Sequence, residues 1–169
     1  MHAQAFRSAL LLVTLLLTGC GTDQFEREVD TEKAAVKLAR LTQQGGYELL
    51  TTDEVAELLK KPDELVLIDA MPADNFAKEH LAGAKNFAFP KVAVDEWTTD
   101  ETGGSQEEYE ALLGSDKDKL IVVYCGFTNC DRSHNAAVFA RQLGYTNVKR
   151  YAGGIYAWKG AGHPVTAGG

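Results

Sequence analysis

Between residues 47 and 165 the chain falls into short blocks whose apolar spacing switches back and forth between two periods. Leu65-Val66-Leu67-Ile68 and Ile121-Val122-Val123-Tyr124 are unbroken apolar runs flanked by charged or polar residues. Runs of this length, rich in β-branched side chains, are strands covered on both faces. Weaker runs at Tyr47–Leu50, Lys85–Ala88 and Asn147–Tyr151 predict three more strands. Between the strands the spacing becomes helical. Val55, Leu58 and Leu59 share one face of a helix capped by Thr52 and stopped by Pro62, and Ala73–His80 is a second, short helix. Ser105 with Glu108 forms a capping box for a helix through Leu113, and an Ala-rich helix from Arg132 to Leu143 closes at Gly144. Gly153-Gly154 opens a last short helix carrying Ile155 and Trp158, whereas residues 90–104 are polar and aperiodic. Strands alternating with helices predict an α/β fold, an open parallel sheet of about five strands with helices on both faces. Such sheets bind ligands beyond the C-terminal ends of their strands, where Asp69 and Cys125 fall.

Upstream, residues 23–44 are charged, with apolar positions at Val29, Ala34, Val36, Leu38 and Leu41, and end at Gly45-Gly46. This is an amphipathic helix, either a spacer or an element packed on the domain. Further upstream, Arg7 precedes the apolar run Ala9–Leu17, which is too short to span a bilayer and has the form of a signal-peptide core. Leu17-Thr18-Gly19-Cys20 then resembles the bacterial lipobox, whose cysteine is lipidated and becomes the new N-terminus. That resemblance implies a lipoprotein signal peptide at 1–19, a lipid-anchored helical spacer at 20–46 and a domain at 47–169. It implies export to the periplasmic side of a membrane, with the chain held there by acyl chains on Cys20. Gly21, rather than Asp, favours the outer membrane if the source is Gram-negative.

Charge narrows the partners. Arg7 is the only Asp, Glu, Lys or Arg in residues 1–19, so the remainder carries 16 basic and 24 acidic side chains, a net charge of −8. That balance argues against nucleic acid and against electrostatic docking on anionic lipid.

The chemistry concentrates after the strongest strand. Cys125 ends that strand and faces the start of the Arg132 helix, a place where loop N–H groups and a helix N-terminus stabilise a thiolate. Cys130 follows five residues on, then Arg132 and His134. In an oxidising compartment two such cysteines form a structural disulfide, a redox couple or two thiols kept reduced by a partner. A zinc site fits poorly, because Cys125, Cys130 and His134 give three ligands at most and no second cysteine pair completes a tetrahedron. No cofactor is called for.

Leu67-Ile68-Asp69-Ala70, Glu79-His80-Leu81-Ala82-Gly83-Ala84, Val123-Tyr124-Cys125, Arg132-Ser133, Gly153-Gly154-Ile155-Tyr156-Ala157-Trp158 and Gly162-His163-Pro164-Val165 together resemble a rhodanese-like domain, from about Tyr47 to Val165. The resemblance implies a sulfurtransferase. A strand-end cysteine, here Cys125, takes a sulfane sulfur from a small donor such as thiosulfate, holds it as a persulfide and passes it to a thiol or protein acceptor. Gly126, Phe127, Thr128, Asn129 and Asp131 then form the substrate-binding loop, its N–H groups holding the donor's anionic end, with Arg132 as a catalytic partner. Asp69, His80 and His134 support the loop. Three features depart from the family pattern: six residues separate Cys125 from Arg132 where about four are common, Asp69-Ala70-Met71 replaces a common Asp-x-Arg, and a second thiol, Cys130, stands inside the loop. Cys130, inside the loop, is cast as a resolving thiol that releases sulfide from the Cys125 persulfide and leaves a disulfide. The alternatives are a non-catalytic sulfur-carrier or partner-binding module and, less well matched, a phosphatase or arsenate reductase of the same fold, which place their Arg one residue closer. His134 reads as a partly exposed helix residue, Tyr156 and Trp158 as packing for the last helix, and Phe127 as either outward-facing or buried.

Overall fold

β4 (Leu120–Tyr124) is the middle strand of the sheet because its side chains can be buried on both sides, and residues 121–124 are all at most 1 % exposed. The computed structural model describes residues 23–168. Around β4, β1 (Glu48–Leu50), β2 (Leu65–Asp69), β3 (Lys85–Asn86) and β5 (Val148–Tyr151) form an all-parallel sheet in the order β1-β5-β4-β2-β3. The helices are α1 (Gln24–Gly45), α2 (Thr52–Leu58), α3 (Ala73–Lys78), α4 (Gln106–Leu113), α5 (Arg132–Gln142) and α6 (Gly154–Gly160), with a 3-10 turn at Pro62–Glu64. The α/β class and the five parallel strands agree with the sequence pattern.

Asp69 pairs with Tyr124 and Tyr124 with Tyr151, so β2, β4 and β5 end flush on one edge of the sheet. The chain leaves β2 towards β3 but leaves β4 towards β5, in opposite directions. That reversal opens a crevice between the loops after β2 and β4.

Period-two alternation divides the core. Ile68, Ile121 and Val123 face an aromatic layer of Phe87, Phe89, Tyr109 and Phe139, while Leu67, Val122 and Tyr124 face Val55, Ile155 and Trp158. The aperiodic stretch after Pro90 is fastened by one side chain. Asn135 donates to the carbonyls of Pro90 (3.0 Å) and Val92 (2.8 Å) and accepts from the N–H of Val94 (3.1 Å).

Element boundaries differ from the sequence reading in small, explicable ways. Thr51, not Thr52, caps α2, because Thr51 has Glu54 three residues on and makes a reciprocal capping box. β3 stops after two residues as an edge strand, and α3 ends at Lys78, before His80. α1 has no fully buried residue, yet its C-terminal half lies on α5, where Lys37 Nζ sits 2.7 and 2.9 Å from the two carboxylate oxygens of Asp131. The helix is therefore packed on the domain at one end and solvated at the other. The lipobox and Cys20 lie outside the described residues.

Candidate active site

The Cys125–Gly126 peptide is fixed from behind. Ile155 N–H donates to the Cys125 carbonyl (3.0 Å) and Tyr156 N–H to the Gly126 carbonyl (2.9 Å). A trans peptide sets N–H opposite C=O. Turning the Cys125 carbonyl towards α6 therefore turns the Gly126 N–H into the loop. The approach is so close that a Cβ on Gly154 would lie 2.2 Å from the Cys125 oxygen.

Cys125 is fully buried. Its Sγ lies 3.1 Å from Ser133 Oγ, 3.5 Å from the Cys130 carbonyl oxygen and 4.0 Å from the Phe127 carbonyl oxygen. Carbonyls receive a proton and repel an anion, so this cage suits a thiol. Burial, followed by the closeness of Cys130, pushes the Cys125 thiol well above the ordinary range, and Ser133 opposes this only in part. Cys130 behaves in the opposite sense. The Cys125 thiol acting as a donor towards it, with the N–H groups of Arg132 and Gly126 and the Arg132 charge, lowers it to about 6 against the pull of burial. The two thiols titrate as a pair, with the surroundings favouring the charge on Cys130. Both cysteines are free thiols. The sequence reading placed the stabilised thiolate at Cys125; two carbonyl oxygens face that sulfur alongside Ser133, and the lowered ionisation falls on Cys130.

Beneath the loop is a group the sequence reading missed. Arg150 on β5 is fully buried. Its Nε donates to Ser133 Oγ (2.9 Å), one terminal nitrogen to the Cys130 carbonyl (2.8 Å) and the other to the Tyr47 hydroxyl (3.0 Å). Guanidinium only donates, so the Ser133 proton is free to point at Cys125 Sγ and the Tyr47 proton at His134 Nδ1, 2.9 Å away. Among the described residues no carboxylate lies within ion-pair distance of Arg150. Its positive charge is left directed at the loop. A signal was available: Val148 and Arg150 share one face of a strand, and Val148 points inward.

His134 is 2 % exposed rather than partly exposed, because α1 covers the outer side of α5. Burial first, then Arg150, lowers it to about 4, so it is a neutral partner of Tyr47. Asp69 is buried and accepts from Met71 N–H (2.8 Å), the strand-end role; burial raises its carboxyl. His80 stacks on Phe76 and its Nδ1 lies 2.9 Å from the Phe76 carbonyl oxygen, in the turn after α3 and not in the cysteine loop. Asp131 turns away to Lys37, and Thr128 is exposed at the loop tip. Tyr156 does not pack inward. It is exposed beside exposed Phe127, ring centroids 5.8 Å apart, while Trp158 is buried.

A cleft of about 260 Å³ opens between the β2 and β4 loops. Met71, Pro72 and Phe127 supply its apolar wall, Lys91 and Arg132 its cations, and Cys130 its thiol, with Asn75 and Asn129 at the sides. Arg132 is held there by donating to the Phe89 carbonyl. Cys125 is not part of the lining.

The chain is similar to known proteins along most of this architecture. It is 29 % identical over 122 residues to a thiosulfate sulfurtransferase of Coxiella burnetii, covering 71 % of this chain and 94 % of the relative. It is 40 % identical over 93 residues to the sulfur carrier protein TtuD of Thermus thermophilus, but that match covers 53 % of this chain and only 31 % of the Thermus protein. Among solved structures, a thiosulfate sulfurtransferase of Pseudomonas aeruginosa shares the fold with a TM-score of 0.60 at 19 % identity, over 80 % of this chain and 23 % of that one. The polysulfide-sulfur transferase of Wolinella succinogenes shares it with a TM-score of 0.54 at 19 % identity, over 86 % and 94 %. Residues 51–161, which carry strands β2 to β5, the cysteine loop and the clamp from α6, match the family model of the rhodanese-like domain, and the chain belongs to that family.

Proposed function

We propose that the protein moves sulfane sulfur through the Cys125–Cys130 pair: one thiolate takes the sulfur as a persulfide and hands it to a thiol acceptor. The observation that carries this reading is two free thiols in one loop, at the end of a buried parallel strand, with opposite ionisation tendencies. A thiolate attacks sulfur, and a neighbouring thiol keeps a proton ready for the departing sulfide. Arg150 and Ser133 supply fixed positive charge and a hydroxyl proton to the sulfur beneath, without reorganisation during the reaction. The named functions of the Coxiella and Thermus relatives support sulfur transfer and sulfur carriage respectively.

The test is thiocyanate formation from thiosulfate and cyanide by the full chain. The wild type is expected to turn over and Cys125→Ser/Cys130→Ser to fall to background. Equal output from both refutes the reading. Acylation of Cys20 is part of the same proposal, supported by the Leu-Thr-Gly-Cys sequence and the apolar run before it. The acyl chains would hold the domain at a periplasmic membrane surface at about 0.8 kcal/mol per buried methylene. Intact mass of the membrane fraction is expected to show an N-terminus at Cys20 bearing acyl chains; a mature chain starting elsewhere refutes it.

A further inference from the structure

The geometry points to Cys130, not Cys125, as the sulfur that meets the donor: Cys130 attacks an anionic sulfane seated in the cleft between Lys91 and Arg132, and Cys125 is the inner thiol that resolves the product. This rests on the sulfur-transfer reading and assigns its order. Three independent placements carry it. Cys130 lines the cleft, whereas Cys125 does not and has no exposed surface. Two carbonyl oxygens lie 3.5 and 4.0 Å from Cys125 Sγ and disfavour an anion there, against Ser133 Oγ at 3.1 Å. The two cations that can neutralise a donor's oxyanion, Lys91 and Arg132, stand on the Cys130 side. The lowered ionisation of Cys130 agrees with this order.

With thiosulfate the steps balance. Cys130 thiolate attacks the outer sulfur, a new sulfur–sulfur bond forms, the thiosulfate sulfur–sulfur bond breaks, and its electron pair leaves with sulfite. Cys130 is then a persulfide anion. An acceptor thiolate that attacks its outer sulfur regenerates Cys130 thiolate and carries the sulfur away as a new persulfide. When no acceptor arrives, Cys125 attacks the inner sulfur. A Cys125–Cys130 disulfide forms, hydrosulfide leaves with the Cys125 proton, and an external dithiol is oxidised in reopening the bond.

The wall of Met71, Pro72 and Phe127 beside two cations fits a donor with an apolar body and an anionic end as well as thiosulfate. An aryl thiosulfonate such as benzenethiosulfonate undergoes the same attack on its outer sulfur, with the arylsulfinate leaving in place of sulfite.

The experiment treats the full chain, reduced and desalted, with thiosulfate or benzenethiosulfonate for a series of short times, alkylates it, and digests it with trypsin. Both cysteines fall in the peptide Leu120–Arg132, and fragmentation between them locates the added sulfur. The expected result is sulfur on Cys130 at the earliest times, followed by disulfide. In Cys125→Ser the Cys130 persulfide is expected to persist, and in Cys130→Ser uptake is expected to fall at least tenfold. Lys91→Gln is expected to lower the ratio of thiosulfate to benzenethiosulfonate uptake several-fold, because the dianion leans harder on the cation. Sulfur appearing first on Cys125 of the wild type, or uptake by Cys130→Ser at the wild-type rate, overturns the order while leaving sulfur transfer intact. No added sulfur on either cysteine from either donor overturns both. The wild-type time course decides the matter even if a cysteine variant fails to fold.

Discussion

Replacing Gly154 with Ala tests how firmly α6 holds the cysteine loop. Gly154 has φ +60°, and its Cβ would meet the Cys125 carbonyl oxygen at 2.2 Å and the Gly126 carbon at 2.8 Å. The left-handed conformation alone costs a non-glycine residue about 1–2 kcal/mol. A carbon–oxygen contact settles near about 3.3 Å, so the Cys125–Gly126 peptide has to retreat by roughly 1 Å. That movement breaks the bonds from Ile155 and Tyr156, at 3.0 and 2.9 Å. Each is worth about 0.5–1.5 kcal/mol. The sum is about 2–5 kcal/mol, roughly a third of the stability of an ordinary domain at the middle of both ranges. Gly162→Ala is the matched control: φ is +82° and nothing lies within 4 Å of its Cβ, so only the conformational cost applies. Urea unfolding of the full chain, followed by circular dichroism, is expected to show Gly154→Ala well below Gly162→Ala. Alkylation of Cys130 at neutral pH is expected to slow in the first variant only, because the Gly126 N–H is turned away from it. If the two variants lose the same stability, to within about 0.5 kcal/mol, the clamp from α6 does not hold the loop.

Four further outcomes are expected. Alkylation of Cys130 follows its thiolate, with a midpoint near pH 6, loss of reactivity below it, and Cys125 unreactive until far more alkaline pH; a shared midpoint near the ordinary thiol value refutes the split. Arg150→Lys keeps the charge but cannot span three acceptors, so it is expected to cost at least one charged hydrogen bond, about 1.5–3 kcal/mol by urea unfolding, and unchanged stability refutes the assignment. Tyr124→Phe leaves the buried Leu81 N–H without its 2.9 Å acceptor and is expected to cost about 1–3 kcal/mol in the same assay. Lys37→Gln removes the partner of Asp131, a part-exposed pair worth about 1 kcal/mol or less. The freed carboxylate is expected to move the Cys130 alkylation midpoint upward, and an unmoved midpoint shows that α1 does not bear on the site.

What the sequence disclosed follows from the range of each interaction. The strand at Ile121–Tyr124 and the capping box of Ser105 with Glu108 are local, and both stand where the pattern put them. The one cap placed a residue late, Thr52 for Thr51, was also readable, since only Thr51 has a glutamate at the right distance. His134 and Arg150 are different. Their burial depends on α1 lying over α5 and on β1 joining β5, contacts between residues about a hundred positions apart. No periodicity within α5 announces a helix covered on both sides. The same holds for the thiols: the residues around them were visible, but whether carbonyls or N–H groups face each sulfur depends on the loop's path and its clamp from α6.

The pairing of β1 with β5 also sets an order of events in time. The first strand of the chain rests on the last, and the Tyr47 hydroxyl finds Arg150 across 103 residues. Closing so long a loop before its contacts reward it is slow, whereas β2, β3 and β4 belong to shorter closures. β4 and β5 pair across a shorter stretch than either β2 and β4 or β1 and β5, so a refolding chain holds Cys125, Cys130 and Arg150 together before β1 brings Tyr47. In that interval Arg150 lacks its Tyr47 partner and the loop above it is not yet fixed, so an oxidant meets the thiols before the site is complete. Refolding under oxidising conditions would draw the pair into a disulfide ahead of the finished sheet, so recovery of the dithiol becomes a race between strand docking and oxidation.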